Sequence, residues 1–100
     1  MKPGKEELAL AIDVAEWGWL RVHLERDGLI LISSDMDLAE AGWRIATDDT
    51  PVISGWIESG TVGKPSLAQI AKWDEDKGKQ FQMLIVSPYI LIQDKALNIQ

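Results

Sequence analysis

The chain is 100 residues long with 46% apolar and 26% charged residues, which fits one folded domain, 1–100, and argues against disorder. Sixteen acidic against ten basic residues give a net charge of −6, a field that repels a phosphate backbone unless the cations gather on one face. The lack of cysteine excludes disulfides, thiolate catalysis and cysteine-ligated metal centres.

The N-terminal Met1-Lys2-Pro3-Gly4-Lys5-Glu6-Glu7 has no apolar stretch of signal-peptide type. The longest apolar runs, such as Leu29 to Ile32, fall far short of the roughly 20 residues that span a bilayer. A cytoplasmic location is therefore expected.

Helical period begins near Glu6. Leu8, Ile12, Ala15 and Trp19 form one stripe, and Trp17, Leu20 and Leu24 a second. Two stripes predict two short helices meeting at a bend near Asp13 to Glu16, or one long helix packed on both sides. Asp27-Gly28 supplies the stop, since glycine takes a left-handed C-cap without steric cost.

Leu29 to Ile32 reads as a strand that needs cover on both faces, being apolar throughout. Asp37 is an N-cap signal, with Glu40 placed to complete a capping box, for a helix through Leu38, Ala41, Gly42 and Ile45 to about Thr47. Thr50-Pro51 opens the next helix, with Val52, Trp56 and Ile57 as apolar positions and Gly60 as its stop.

Thr61 to Pro65 is a short extended piece. Ser66 and Gln69 form a second capping box, opening a helix through Ile70 and Trp73. Asp74 to Lys79 reads as a solvated loop. Phe81 to Val86 and Tyr89 to Gln93 are strand segments divided by Ser87-Pro88, and 94–100 is expected to fray.

The residues Asp37-Leu38, Ala46-Thr47-Asp48-Asp49, Val52, Trp56-Ile57, Gly60, Trp73 and Leu84 to Gln93 resemble domain-of-unknown-function family 2288. The terminal Pro88-Tyr89-Ile90-Leu91-Ile92-Gln93 is the most specific piece, and the likeness runs from about Trp17 to Gln93. It implies no activity, cofactor or site residue.

Leu38 to Lys64 has the outline of a helix-turn-helix. A DNA-reading second helix needs side chains for phosphates and base edges. Thr50 to Ser59 holds no lysine or arginine and does hold Glu58, so a winged-helix-type nucleic-acid regulator is the lesser alternative. Asp35 and Asp37, Asp48 and Asp49, and Asp74-Glu75-Asp76 lack the alternate-position pattern of a calcium loop. His23 is the only histidine and has no cysteine to share a metal with. Nucleophile elbows and phosphate loops are absent as motifs, so no catalytic, metal or cofactor residue is assigned.

The expected fold is α+β: a small, mainly antiparallel three-stranded sheet with four to five short helices in a winged-helix-like topology. The expected core is Leu20, Leu38, Ile45, Trp56, Ile85 and Leu91. The strands carry more apolar surface than 100 residues can obviously shelter, which points to a partner protein and most simply a homodimer. Trp19, Trp43, Tyr89 and Ile92 are the expected contact residues. Trp17 and Trp19, two apart on a helix, cannot face the same way, so one of them belongs at the surface.

Overall fold

A computed structural model describes residues 4–24 and 28–94. Asp27 of the expected helix stop, and the tail from residue 95 onward, lie outside the described residues.

In chain order the elements are α1 (Lys5–Ala11), β1 (Asp13–Glu16), α2 (Trp17–Leu24), β2 (Leu29–Ile32), α3 (Leu38–Ala46), α4 (Thr50–Ser59), β3 (Val62–Gly63), α5 (Leu67–Asp74), β4 (Gln80–Val86) and β5 (Tyr89–Gln93). The α+β class holds, but the sheet does not match the expectation. It has five strands in the order β1-β4-β5-β2-β3, and it is mixed, because β2 and β5 run parallel. The β4–β5 hairpin sits inside this sheet, where a winged helix would carry it as an outlying wing. The expected three-stranded antiparallel sheet is corrected on both counts.

One of the added strands is β1. The spacing of Leu8, Ile12, Ala15 and Trp19 carries a helical period straight through Asp13-Val14-Ala15-Glu16 and predicts a helix bend there. Only one of the four residues is β-branched, so strand propensity is weak. Their extended state comes from antiparallel pairing with β4, in the register Asp13↔Met83 to Glu16↔Gln80. Tertiary pairing overrides the local pattern.

The start of α2 is also set from a distance. No capping residue precedes Trp17; instead the backbone N–H groups of Trp17 and Gly18 donate to the carbonyls of Lys79 and Lys77. Because β1 opposes β4, β4 opposes β5 and β5 parallels β2, β1 and β2 run the same way. Helix α2 is therefore the crossover of a split β-α-β unit, with the β4–β5 hairpin inserted between its strands.

Alternate strand residues feed two separate cores. Ile32, Leu84, Val86 and Leu91 pack with Leu8 of α1 and with Leu38 and Ala41 of α3, flanked by Trp56 of α4. Leu29, Phe81, Ile90 and Ile92 pack with Trp17 and Leu20 of α2 and Trp73 of α5. The molecule is thus three-layered, with helices on both faces of the sheet. The surplus of strand surface read from the sequence is largely enclosed within one chain.

Capping follows the sequence where the signal is local. Ser66 Oγ accepts from the Gln69 N–H, and Gln69 Oε1 from the Ser66 N–H. Asp37 accepts from the Ala39 N–H, but Glu40 does not close a box with it. The Glu40 carboxylate instead takes Lys5 Nζ at 2.9 Å and Arg44 Nε at 2.7 Å. Asp49, one residue before the expected Thr50, is the N-cap of α4, and Gly60 ends that helix with φ 81°.

Of the expected core, Leu20, Leu38 and Leu91 are buried, while Ile45 and Trp56 are half-buried beside the α1/α3 core. Ile85 is a correction. It lies on the α2/α5 face, paired with Ile90, yet 52% of it is exposed. The strand pattern is right, but the helical layer stops short of it.

Candidate functional site

The place where that layer stops is the most unusual surface of the molecule. On α2, Trp17, Leu20 and Leu24 recur at i, i+3 and i+7 and face the sheet. Arg21 marks the flank toward α5, where its Nε donates to Asp74 at 3.0 Å. Helix α5 in turn lies toward the β2–β3 edge, since Gln69 lines a cavity with Leu31 and Gly63. Trp19 and His23 fall on the opposite flank of α2, the one turned to β1 and β4, with ring centroids 4.7 Å apart.

Below that flank lie the ends of β4 and β1 that no helix covers. Met83 and Ile85 share this face with Asp13, the residue opposite Met83. Trp19 is 49% exposed and Val22 58%. Leu10 and Val14 are exposed as well, but toward the other face of the sheet, since α1 packs on the α3 side and Val14 stands opposite Gln82. Among the described residues, most of the exposed large apolar side chains therefore belong to the 10–22 segment or to β4 beside it; Ile57, Leu67 and Tyr89 are the others. Isolated exposed apolar residues need no explanation, so the weight falls on Trp19, Val22 and Ile85, which belong to α2 and the sheet face beneath it.

The backbone of this edge is partly capped. Trp17 donates inward to Lys79, so by alternation the Val14 N–H points away from β4. It is taken by the Asp13 carboxylate at 2.8 Å. By the same alternation the Glu16 N–H also points outward, so Asp13 caps one of the two outward donors of β1.

The four expected contact residues are not brought together. Trp19 is on the open corner. Trp43, half-buried on the other face, lies beside Gly4, Lys5 and Glu6, with the Arg44 guanidinium 4.9 Å from its ring. Tyr89 is exposed at the start of β5 opposite Val86. Ile92 is a correction: it is fully buried in the α2/α5 core and cannot touch a partner. Sequence reasoning missed Ile85 and Val22. Their only sequence signal was position just outside the α2 stripe and on an apolar strand, which does not tell covered from uncovered.

The other features weighed in the sequence have structural employment. Asp74 accepts from the indole Nε1 of the buried Trp17 at 2.8 Å and from Arg21. The indole bond is the largest cause holding its carboxyl below the usual range; burial, the next largest, opposes it, and the Arg21 contact adds to the lowering. Asp49 pairs with Arg44, and Asp35 accepts from Ser33. A cavity of about 410 Å3 at the carboxyl end of β2 is open and walled by exposed side chains including Ser34, Lys64, Gln69 and Asp94. Among the described residues, no group of three or more His, Asp or Glu could hold a metal ion, and no helix is long and apolar enough to cross a membrane.

Comparison with solved structures finds the NMR solution structure of PA1075 from Pseudomonas aeruginosa, with a TM-score of 0.79 and 22% identity over 93% of this chain and 85% of that one. At that identity the likeness shows the fold alone. No curated protein matches the chain. Among family models, the one described as "Protein of unknown function (DUF2288)" matches residues 3–94.

Proposed function

The chain belongs to the DUF2288 family, a family of unknown function, and we propose that it is a non-catalytic protein-interaction module that docks a partner on the open corner beside β1 and β4. The observation that carries this reading is the exposure of Trp19 and Val22 on α2 and of Ile85 on the sheet face that α2 covers, in a sandwich whose two cores are otherwise closed. Tryptophan and large aliphatics at a surface are the groups that dominate protein–protein contact energies. The nucleic-acid alternative gains no support, since α4 presents no lysine or arginine and ends in Glu58-Ser59.

The test is a capture experiment from native lysate with two baits, wild type and the Trp19→Ala/Ile85→Asp variant. Both substitutions are at half-exposed positions, so the variant should melt within a few degrees of wild type. A protein held by wild type should be retained at least about tenfold less by the variant. Equal retention by the two baits, or none by either, overturns the proposal.

A further inference from the structure

We infer that residues 50–63, helix α4 together with β3, form a strap that lifts off the outer edge of β2 as one unit while the rest of the molecule stays folded. Three observations converge on it. The first is burial. None of the ten residues of α4 is buried, and across the whole strap Val62 is the single buried side chain. The other helices each set at least one side chain fully into a core: Leu8 of α1, Trp17 of α2, Leu38 of α3 and Trp73 of α5. A segment that seals little apolar surface is the first to open. The strap is nevertheless one piece, since the Thr61 N–H just before β3 donates to the Trp56 carbonyl of α4 at 2.8 Å.

The second is the seam. Strand β3 pairs with β2 over Leu31↔Gly63 and Ile32↔Val62, extended by the Ser33 N–H, which donates to the Thr61 carbonyl at 2.8 Å. Beyond that pairing the seam is open, for the cavity at the carboxyl end of β2 lies between Ser33 and Ser34 on one side and Gly60, Gly63 and Lys64 on the other. The third is that the two walls are held differently. Fully buried Gln93 donates its Nε2 to the carbonyls of Ser33 at 2.8 Å and Met36 at 2.6 Å, which fixes the β2 side to β5. The strap is anchored at its ends, by Asp49 on Arg44 of α3 and by buried Pro65 ahead of the Ser66–Gln69 box. By alternation the Leu31 and Ser33 N–H groups face β3, while those of Ile30 and Ile32 face β5. Lifting the strap therefore turns β2 from an inner strand into an edge with the Leu31 and Ser33 donors unpaired.

The test is native-state hydrogen exchange of the 15N-labelled full chain, read residue by residue with and without low urea. The amides of Leu31, Ser33, Trp56, Ile57 and Thr61 should share one protection level, at least about a hundredfold below that of Ile30, Ile32, Leu84 and Leu91, and nearly independent of urea. Fast and slow amides then alternate along β2, which fraying from its end cannot produce. Ile92→Val trims the core on the opposite face. It should speed exchange at Ile32 and Leu84 roughly three- to tenfold and leave the strap set unmoved, because the closed and open forms lose that packing alike. A Ser33 amide as slow as that of Ile32 overturns the inference. So do fast α4 amides beside slow Leu31 and Ser33, which would mean that α4 frays alone. Equal acceleration of every amide in Ile92→Val also defeats it, since the strap would then open only with the whole chain.

Discussion

Trp17 shows how one residue can tie a fold together. Its ring meets Trp73 at 4.9 Å and Phe81 at 5.8 Å, so α2, α5 and β4 converge on a single side chain. Its indole N–H, which would be costly to bury alone, is satisfied by Asp74. Trp17→Ala should therefore destabilise the chain by roughly 3–5 kcal/mol, read from a urea melt. Trp56 was the tryptophan expected to serve as core anchor. Being half-buried at the margin of the other core, it should cost less on truncation, about 1–2 kcal/mol. If the order of these two losses were reversed, the assignment of the main aromatic anchor to α2 would be wrong.

At the scale of elements, the packing of α3 on the sheet depends on the absence of a side chain. A Cβ placed on Gly42 would lie 2.5 Å from Cδ2 of the fully buried Leu84 and 3.4 Å from Cγ2 of Val86. Alanine is the better helix former by about 1 kcal/mol, but overpacking a closed core costs about 1–3 kcal/mol, so steric conflict outweighs propensity. Gly42→Ala should lower stability by about 1 kcal/mol net in a thermal or urea melt. The same substitution in a Leu84→Ala background should be neutral or stabilising, because the obstructing methyl is gone. A loss of the same size in both backgrounds would mean that the conflict lies elsewhere.

Charge acts at the scale of the whole molecule. Glu40 of α3 joins Lys5 of α1 to Arg44, and Arg44 reaches Asp49 before α4 at 2.7 Å, so one chain of ion pairs connects three helices on one face of the sheet. The hydrogen bond from Lys5, then that from Arg44, hold the Glu40 carboxyl below its ordinary value of 4.5. Asp74 on the other face lies below its ordinary 3.8, through Trp17 first and Arg21 after it. A carboxyl depressed by folding takes up its proton more readily in the unfolded chain. Its stabilising effect is thus complete above the ordinary value and is lost as pH falls through the lower folded one. Stability should be flat near neutrality and drop below about pH 4.5, and Glu40→Gln should remove part of that drop. An acid limb unchanged in Glu40→Gln would show that the network does not govern it. These pairs are partly exposed, so salt should weaken the effect.

What the sequence determined by itself was whatever short-range chemistry could decide. The Ser66–Gln69 box, the Gly60 stop, the apolar strands and the α2 stripe each rest on residues a few positions apart, and each was legible. The family likeness was legible too, in the strand residues that lead to Gln93. Tertiary structure alone decided the rest. Whether Asp13 to Glu16 became strand or helix depended on a partner strand nearly 70 residues away, whose register no local period encodes. Which apolar strand residues ended up covered depended on how far short helices reach across the sheet. That is why Ile92 is sealed while Ile85, with the same chemistry one hairpin away, stands open at the corner.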